Sequence, residues 1–108
     1  MMLILKYYDC KLGNLNFENN NYVYNSNIQE EEKAKKLSYG ALNYNLYNSV
    51  NKISKELYIE FMPWIMASSR QDIYNKCKIN SNDNKWTILC KLAQNKVVLG
   101  NYSLELIK

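Results

Sequence analysis

The apolar and polar positions in the first quarter of the chain alternate with a period of two, as in strands with one buried face. Residues 3–9 are rich in β-forming side chains and predict a first strand, and residues 12–17 predict a second. Gly13 indicates a bulge or bend within it. The asparagine cluster before Tyr22 predicts a tight turn, because asparagine adopts left-handed backbone conformations readily. Together these features predict a three-stranded antiparallel meander.

The middle of the chain has weaker patterns. Residues 28–36 place three glutamates before three lysines, an order that suits a helical turn and a solvated loop equally, and we expect an exposed connection. Residues 37–50 alternate at Leu42, Tyr44 and Leu46 but are interrupted by glycine and asparagine. This second stretch is therefore compatible with either a strand or an irregular loop.

From Ser54 onward the apolar spacing changes to that of helices. Residues 54–62 predict a first helix with Ser54 as a candidate N-cap. Pro63 would end or turn this helix, because proline lacks the amide hydrogen and disfavours helical geometry in the residue before it. Residues 68–79 predict a second helix, capped by one of the two serines that open it.

The clearest helical pattern lies in residues 80–95. Its apolar residues follow the spacing i, i+3, i+4 and i+7: Trp86, Leu89, Cys90 and Ala93. Ser81 or Asp83 can cap the start of this helix, and Asn95 can close its end. The spacing places Trp86 in the core.

Gly100 and Asn101 indicate a hairpin between two strands that complete the chain. The order of the predicted elements favours an α+β fold, with a small antiparallel sheet, partly barrel-like, packed with two to three short helices. A chain of 108 residues is long enough for a single hydrophobic core, so we expect one domain over residues 1–108.

Composition narrows the classes of function. Apolar residues make up 47% of the chain and charged residues 22%, as in globular proteins, and a net charge of +4 supports at most a weak attraction to polyanions. The three widely spaced cysteines favour a reducing compartment over a disulfide framework or a Cys-x-x-Cys metal site. No apolar run reaches the roughly 18 residues of a membrane span, and no signal peptide is apparent. We therefore expect a cytoplasmic protein.

The sequence offers no recognisable catalytic site. Histidine is absent, and the three glycines are too scattered to form a phosphate-binding loop. The glutamates at 30–32 are expected to form a solvated run, and Asp72 and Asp83 suit helix N-termini. Cys90 is expected to be a buried structural thiol. We therefore expect no enzyme activity, no catalytic residue, no metal and no cofactor.

The stretch around the single proline is the candidate partner-binding site. It contains Phe61, Met62, Pro63, Trp64, Ile65 and Met66. Proline fixes the backbone beside Trp64, and methionine side chains suit adaptable contact surfaces. Tryptophan is also strongly enriched among interface hot spots. The residue pattern is equally compatible with a core position and an interface position for Trp64.

Nucleic-acid binding, or a role as a transcription-regulating accessory protein, is the alternative function. The chain combines ten tyrosines with a slight positive charge, and aromatic side chains among lysines can stack single-stranded bases. The lysines are spread along the whole chain, however, and the aromatic signature of an RNA-recognition sheet is missing. The pattern favours strand and core positions for the tyrosines, and no direct nucleic-acid contact is expected.

Several motifs, taken in order, resemble the amino-terminal subdomain of the HipA-type toxin kinases. That family opens with a strand and a "G-x-L-x-F" hairpin, matched here by Gly13, Leu15 and Phe17, and continues with an aromatic-rich strand, matched by residues 22–24. A helix-capping stretch and a "G-x-x-x-L" strand follow in that family. Their matches here are Ser81, Asp83, Trp86, Ile88, Leu89, Gly100 and Leu104.

A free-standing copy of this subdomain resembles the small HipS-like antitoxins of the three-component HipBST toxin–antitoxin systems. The resemblance implies an antitoxin that neutralises a separate HipT-like serine/threonine kinase toxin, with a HipB-like DNA-binding protein as a further partner. It also implies that the loop of Trp64 turns toward the kinase active site. We therefore expect an indole that points to solvent and inserts at the nucleotide or substrate site. Residues 37–70 depart from the family pattern, since only part of its central motifs is kept.

Overall fold

The computed structural model describes residues 1–37 and 45–108, and in these residues it contains a six-stranded antiparallel sheet and four α-helices. The strands are β1 (Met2–Tyr7), β2 (Cys10–Glu18), β3 (Asn21–Ser26), β4 (Lys52–Ser54), β5 (Val98–Leu99) and β6 (Tyr102–Ile107). The helices are α1 (Ile28–Leu37), α2 (Met62–Ala67), α3 (Gln71–Lys76) and α4 (Lys85–Gln94), and a 3-10 turn, Ile59–Phe61, directly precedes α2. The predicted α+β class is confirmed.

The sheet has the strand order β4-β3-β2-β1-β6-β5, so β1 lies in its interior between β2 and β6. β1 and β6 come from opposite ends of the chain and pair over their full length, from Met2 opposite Ile107 to Tyr7 opposite Tyr102. β4 and β5 are the two edges. The described sheet is therefore open and does not close into a barrel.

The predicted meander of β1, β2 and β3 is confirmed. The turn between β2 and β3 consists of Asn19 and Asn20, whose φ angles are 52° and 62°. A two-residue hairpin turn that matches the right-handed twist of its strands needs positive φ angles at both residues. Asparagine adopts this geometry at low cost.

The bulge predicted at Gly13 is also present. Leu5 of β1 pairs with Gly13 of β2, but the next residue, Lys6, pairs with Lys11, which leaves Leu12 as an extra residue. A Cβ atom at Gly13 would lie 2.4 Å from the Tyr24 Oη atom. Glycine is required here because β3 approaches the β2 backbone too closely for any side chain.

Residues 28–36, expected as an exposed connection, form helix α1 instead. The Asn27 side chain accepts a hydrogen bond from the Glu30 N–H at 3.3 Å, which satisfies one free donor at the helix start. Acidic residues occupy the first turn and basic residues the last, as the helix dipole favours. The charge pattern alone suits a helix and a loop equally. Ala34 is fully buried, and its packing against the sheet favours the helix.

Glu31 was expected in a solvated run, but it is buried. Its Oε1 atom accepts a hydrogen bond from the Asn48 N–H at 3.1 Å. One turn further along, the Lys35 ammonium lies 4.2 Å from the centre of the Tyr47 ring. These contacts attach α1 to the turn at residues 45–50. The alternation predicted at Leu42 and Tyr44 lies outside the described residues, and Leu46 is buried in the irregular chain that follows.

The helix predicted over residues 54–62 is wrong. Residues 52–54 form β4, which pairs with β3, and α2 begins only at Met62. Pro63 lies in the first turn of α2 instead of ending a helix before it. The first turn tolerates proline because its amide groups have no partner within the helix, and the ring already fixes a helical φ angle.

Helix α3 is confirmed, but its predicted serine cap is wrong. The N-cap residue is Arg70, which makes no side-chain capping bond. The Ser68 and Ser69 hydroxyls donate instead to the carbonyls of Ile65 and Met66, at 2.5 and 2.7 Å. The serines therefore close α2 and do not open α3.

Helix α4 is also confirmed, with a different N-cap. The Asn84 side chain accepts from the Thr87 N–H at 2.8 Å, whereas Asp83 binds the Asn80 N–H and the Lys91 ammonium. Asn95 is the C-cap, as predicted. Leu89, Leu92 and Ala93 of α4 are buried. So are these residues of the sheet, of the 3-10 turn and of α2: Leu3, Leu5, Leu12, Leu15, Tyr24, Phe61 and Trp64.

We expect Gly13→Ala to lower the free energy of unfolding by about 1–3 kcal/mol, the usual cost of overpacking. The added Cβ would lie 2.5 Å from the Asn25 backbone carbonyl oxygen, which has little freedom to move. Urea unfolding followed by circular dichroism measures the change. Gly100→Asn is the matched control, because no atom lies within 4 Å of a Cβ there and asparagine accepts the φ of +59°. A Gly13→Ala variant as stable as this control would contradict the close approach.

Candidate partner-binding site

The predicted site lies in one short helical piece, the 59–67 segment, which consists of the 3-10 turn and α2. The segment packs against α4, and its rings contact side chains of β3 and β6. Because the segment is helical, residues three and four apart share a face. Its apolar residues therefore separate onto an inner face and an outer face.

The inner face carries Phe61 and Trp64. Phe61 is completely buried and only 2% of the Trp64 surface is exposed. The ring centre of Trp64 lies 6.4 Å from that of Phe61 and 6.5 Å from that of Tyr102, the latter in an edge-to-face arrangement. The expectation that the indole points to solvent is therefore wrong. Trp64 lies in the first turn of α2, directly after Pro63, on the side that faces the core.

The indole nitrogen of Trp64 is buried and has no hydrogen-bond acceptor in the part of the chain that the structure describes. A buried donor without a partner typically costs about 1–3 kcal/mol. Among the residues that the structure describes, the ring is therefore held by aromatic and apolar packing.

The outer face consists of Ile59, Pro63 and Met66, at the spacing i, i+4 and i+7. Ile59 is 75% exposed and Met66 is 70% exposed, and Pro63 is also exposed. Met62 and Ile65 are half-buried beside the core. Of the six predicted residues, two are thus buried, two are half-buried and two lie on the outer face. Ile59 was not predicted, although its spacing to Pro63 and Met66 would have indicated it had the helix been placed correctly.

A pocket of about 390 Å³ adjoins the outer face. The described residues that form its walls are Leu5, Asn45, Ile59, Glu60, Pro63, Trp64, Leu99 and Tyr102. Most of these side chains are apolar or aromatic. Glu60 supplies the one charged group among them, and its Oε2 atom accepts a hydrogen bond from the Asn45 N–H at 3.0 Å.

Tyr102 forms a wall of this pocket and connects it to the sheet. Burial raises the pKa of Tyr102 to about 12, and the neighbouring Tyr7 and Tyr47 hydroxyls act in the same direction. The phenol is therefore neutral at physiological pH. Its ring centre lies 5.1 Å from that of Tyr7.

Trp86 was predicted to be a core residue and is half-buried. It packs against the edge of the core and stacks on Phe17, with ring centres 6.0 Å apart. Cys90, expected to be buried, is likewise half-buried. Burial raises the pKa of the Cys90 thiol, as it does for Cys10 and Cys77, which disfavours the reactive thiolate form.

Among residues 1–37 and 45–108, no group of three or more acidic or cysteine side chains is placed to hold a metal ion. No helix in these same ranges is both long enough and apolar enough to cross a membrane. No protein-family model, no curated protein and no solved structure matches the chain.

The burial of Trp64 predicts a distinctive fluorescence. In a Trp86→Phe variant, where Trp64 is the single tryptophan, we expect emission at a shorter wavelength and weaker acrylamide quenching than in the urea-unfolded chain. The Trp64→Phe variant, which keeps only the half-buried Trp86, is the comparison and should be quenched more strongly. Emission from Trp64 at the wavelength of the unfolded chain would contradict its place in the core.

The raised pKa of Tyr102 predicts a loss of stability at alkaline pH. The folded protein holds the phenol proton more tightly than the unfolded chain, whose pKa is near the ordinary value of 10.0. The stabilisation is therefore complete below pH 10 and is lost as the pH rises toward 12. Urea unfolding between these pH values should show a smaller decline for Tyr102→Phe than for the exposed control Tyr8→Phe. Equal declines would contradict the shift.

Proposed function

We propose that the protein is a non-catalytic antitoxin that binds and inhibits a HipT-like serine/threonine kinase in the cytoplasm. The order of the motifs that resemble the HipA amino-terminal subdomain supports this proposal. The observation that carries it furthest is the outer face, where Ile59, Pro63 and Met66 leave apolar surface exposed on an anchored helical segment. Apolar side chains exposed together on one face of an ordered helical segment favour a protein-binding surface.

The outer face is well suited to binding because the inner face holds it in place. Phe61 and Trp64 anchor the segment in the core, and Pro63 restricts its backbone. A partner that covers this face meets a surface that is already ordered, so little conformational entropy is lost on binding. Burial of the side chains of Ile59 and Met66 would contribute about 1.5–3 kcal/mol each.

The buried indole changes the mode of inhibition that the resemblance implies. Insertion of Trp64 into a kinase would require its ring to leave the contacts with Phe61 and Tyr102, and a cavity would remain in the core. Removal of a large buried aromatic ring typically costs about 3–5 kcal/mol. We therefore propose that the outer face is the contact and that Trp64 supports it from the core.

Inhibition in this scheme is steric. The outer face would cover the kinase near its nucleotide or substrate site and prevent the Gly-rich loop, the magnesium ions and the catalytic aspartate from assembling. The antitoxin itself contributes no reacting group. A HipB-like DNA-binding protein would join the complex as the third component.

The proposal is tested with a HipA-like kinase that lacks its own amino-terminal subdomain and comes from the same genome. Isothermal titration calorimetry measures binding, and autophosphorylation measures inhibition. We expect the double variant Ile59→Asp, Met66→Asp to weaken binding by at least about 30-fold, because a hot-spot residue contributes about 2 kcal/mol or more. Inhibition should be lost in parallel.

Val50→Asp is the matched control, because Val50 is 76% exposed, as Ile59 is, but lies outside the segment. It should bind and inhibit like the wild type. If the double variant remains folded and inhibits at wild-type concentrations, the outer face is not the contact. If no kinase is bound and the protein shifts random DNA or RNA in a salt-dependent manner, the nucleic-acid alternative replaces the proposal.

A further inference from the structure

We infer that the pocket beside the outer face receives an arginine side chain of the partner protein. The inference rests on the proposed function only for the identity of that partner. Its basis is the combination of a single carboxylate with aromatic and apolar walls in a pocket of about 390 Å³. This volume lies in the range of ligand-binding clefts, and the pocket opens beside the residues proposed to meet the partner.

Glu60 determines the charge of the occupant. In the described part of the chain no lysine or arginine lies within ion-pair distance of Glu60, and the sequence of residues 38–44 contains no basic residue. Its one hydrogen bond here comes from the Asn45 N–H. An uncharged occupant would displace water from this carboxylate without supplying a counter-charge, so the lost hydration would be uncompensated. A cationic occupant compensates that loss.

The walls favour arginine over lysine. Tyr102 is half-buried and offers an aromatic ring, the buried Trp64 lies behind it at an interplanar angle of 84°, and Ile59, Pro63 and Leu99 provide apolar surface. The guanidinium group is planar, weakly hydrated and able to stack on aromatic rings while it donates two hydrogen bonds to one carboxylate. The lysine ammonium is more strongly hydrated, so its transfer into such a pocket costs more.

The geometry of the segment brings these features together. Glu60 and Trp64 are four residues apart, which places them about one helical turn from each other on the same side. Ile59 and Pro63 belong both to the outer face and to the pocket wall. A partner that covers the outer face therefore passes the mouth of the pocket, where one of its arginine side chains would meet Glu60.

The test uses the isolated protein and two small probes, Nα-acetyl-arginine amide and its neutral analogue Nα-acetyl-citrulline amide. Each is titrated into ¹⁵N-labelled protein, and the indole N–H signals of Trp64 and Trp86 are followed by NMR, assigned with the Trp86→Phe variant. We expect the arginine probe to shift the Trp64 signal to saturation and to leave Trp86 unchanged. The citrulline probe should bind at least fivefold more weakly.

Glu60→Gln should reduce the affinity for the arginine probe to that for the citrulline probe, since the amide oxygen can still accept from Asn45. Glu56→Gln, at an exposed carboxylate outside the pocket, is the matched control and should change nothing. Equal binding of the two probes, or an unchanged affinity in Glu60→Gln, would overturn the inference. So would the absence of a Trp64 shift with either probe.

The same variants in the kinase assay separate this inference from the proposed function. A kinase that binds Glu60→Gln as tightly as wild type, but does not bind the Ile59→Asp, Met66→Asp variant, overturns the arginine pocket and keeps the antitoxin proposal. If the arginine probe binds specifically but no kinase is bound, the arginine pocket is kept and the antitoxin proposal is overturned.

Discussion

The packing of Phe61 and Trp64 beneath the sheet is the interaction on which the character of the candidate site depends. Large aromatic side chains contribute most to the burial of apolar surface, and these two lie one turn apart on the same helical face. Once that face is held in the core, the geometry of the helix directs Ile59, Pro63 and Met66 to solvent. The exposed apolar surface is therefore a consequence of how the core is built.

The sheet supplies the other half of this arrangement. β1 and β6, from the two ends of the chain, pair in its interior and carry Leu5 and Tyr102 into the walls of the pocket. Tyr102, a wall of the pocket, contacts the Trp64 ring edge-to-face. The pocket wall and the buried face of α2 therefore belong to one aromatic cluster. Glu60 is the one charged residue among the described lining residues of the pocket, so it gives the site a negative charge among apolar and aromatic side chains.

Local patterns were sufficient wherever neighbouring residues alone decide the conformation. The alternation of β2 and β3 and the asparagine pair between them predicted the meander, since a tight turn and its two strands are one local unit. The bulge at Gly13 and the helix α4 were found in the same way.

Local patterns failed for α1 and β4. Ala34 and Glu31 of α1 are fixed by the sheet and by Asn48, and β4 is a strand only because β3 lies beside it.

The sequence by itself determined the α+β class, the order of most elements and the presence of an unusual apolar stretch around Pro63. Only the tertiary structure decided which side of that stretch is buried. Helical spacing assigns residues to faces, but residues 59–66 carry apolar side chains on both, so periodicity cannot distinguish inside from outside. The choice depends on which face meets Tyr24 and Tyr102, and those residues come from distant parts of the chain.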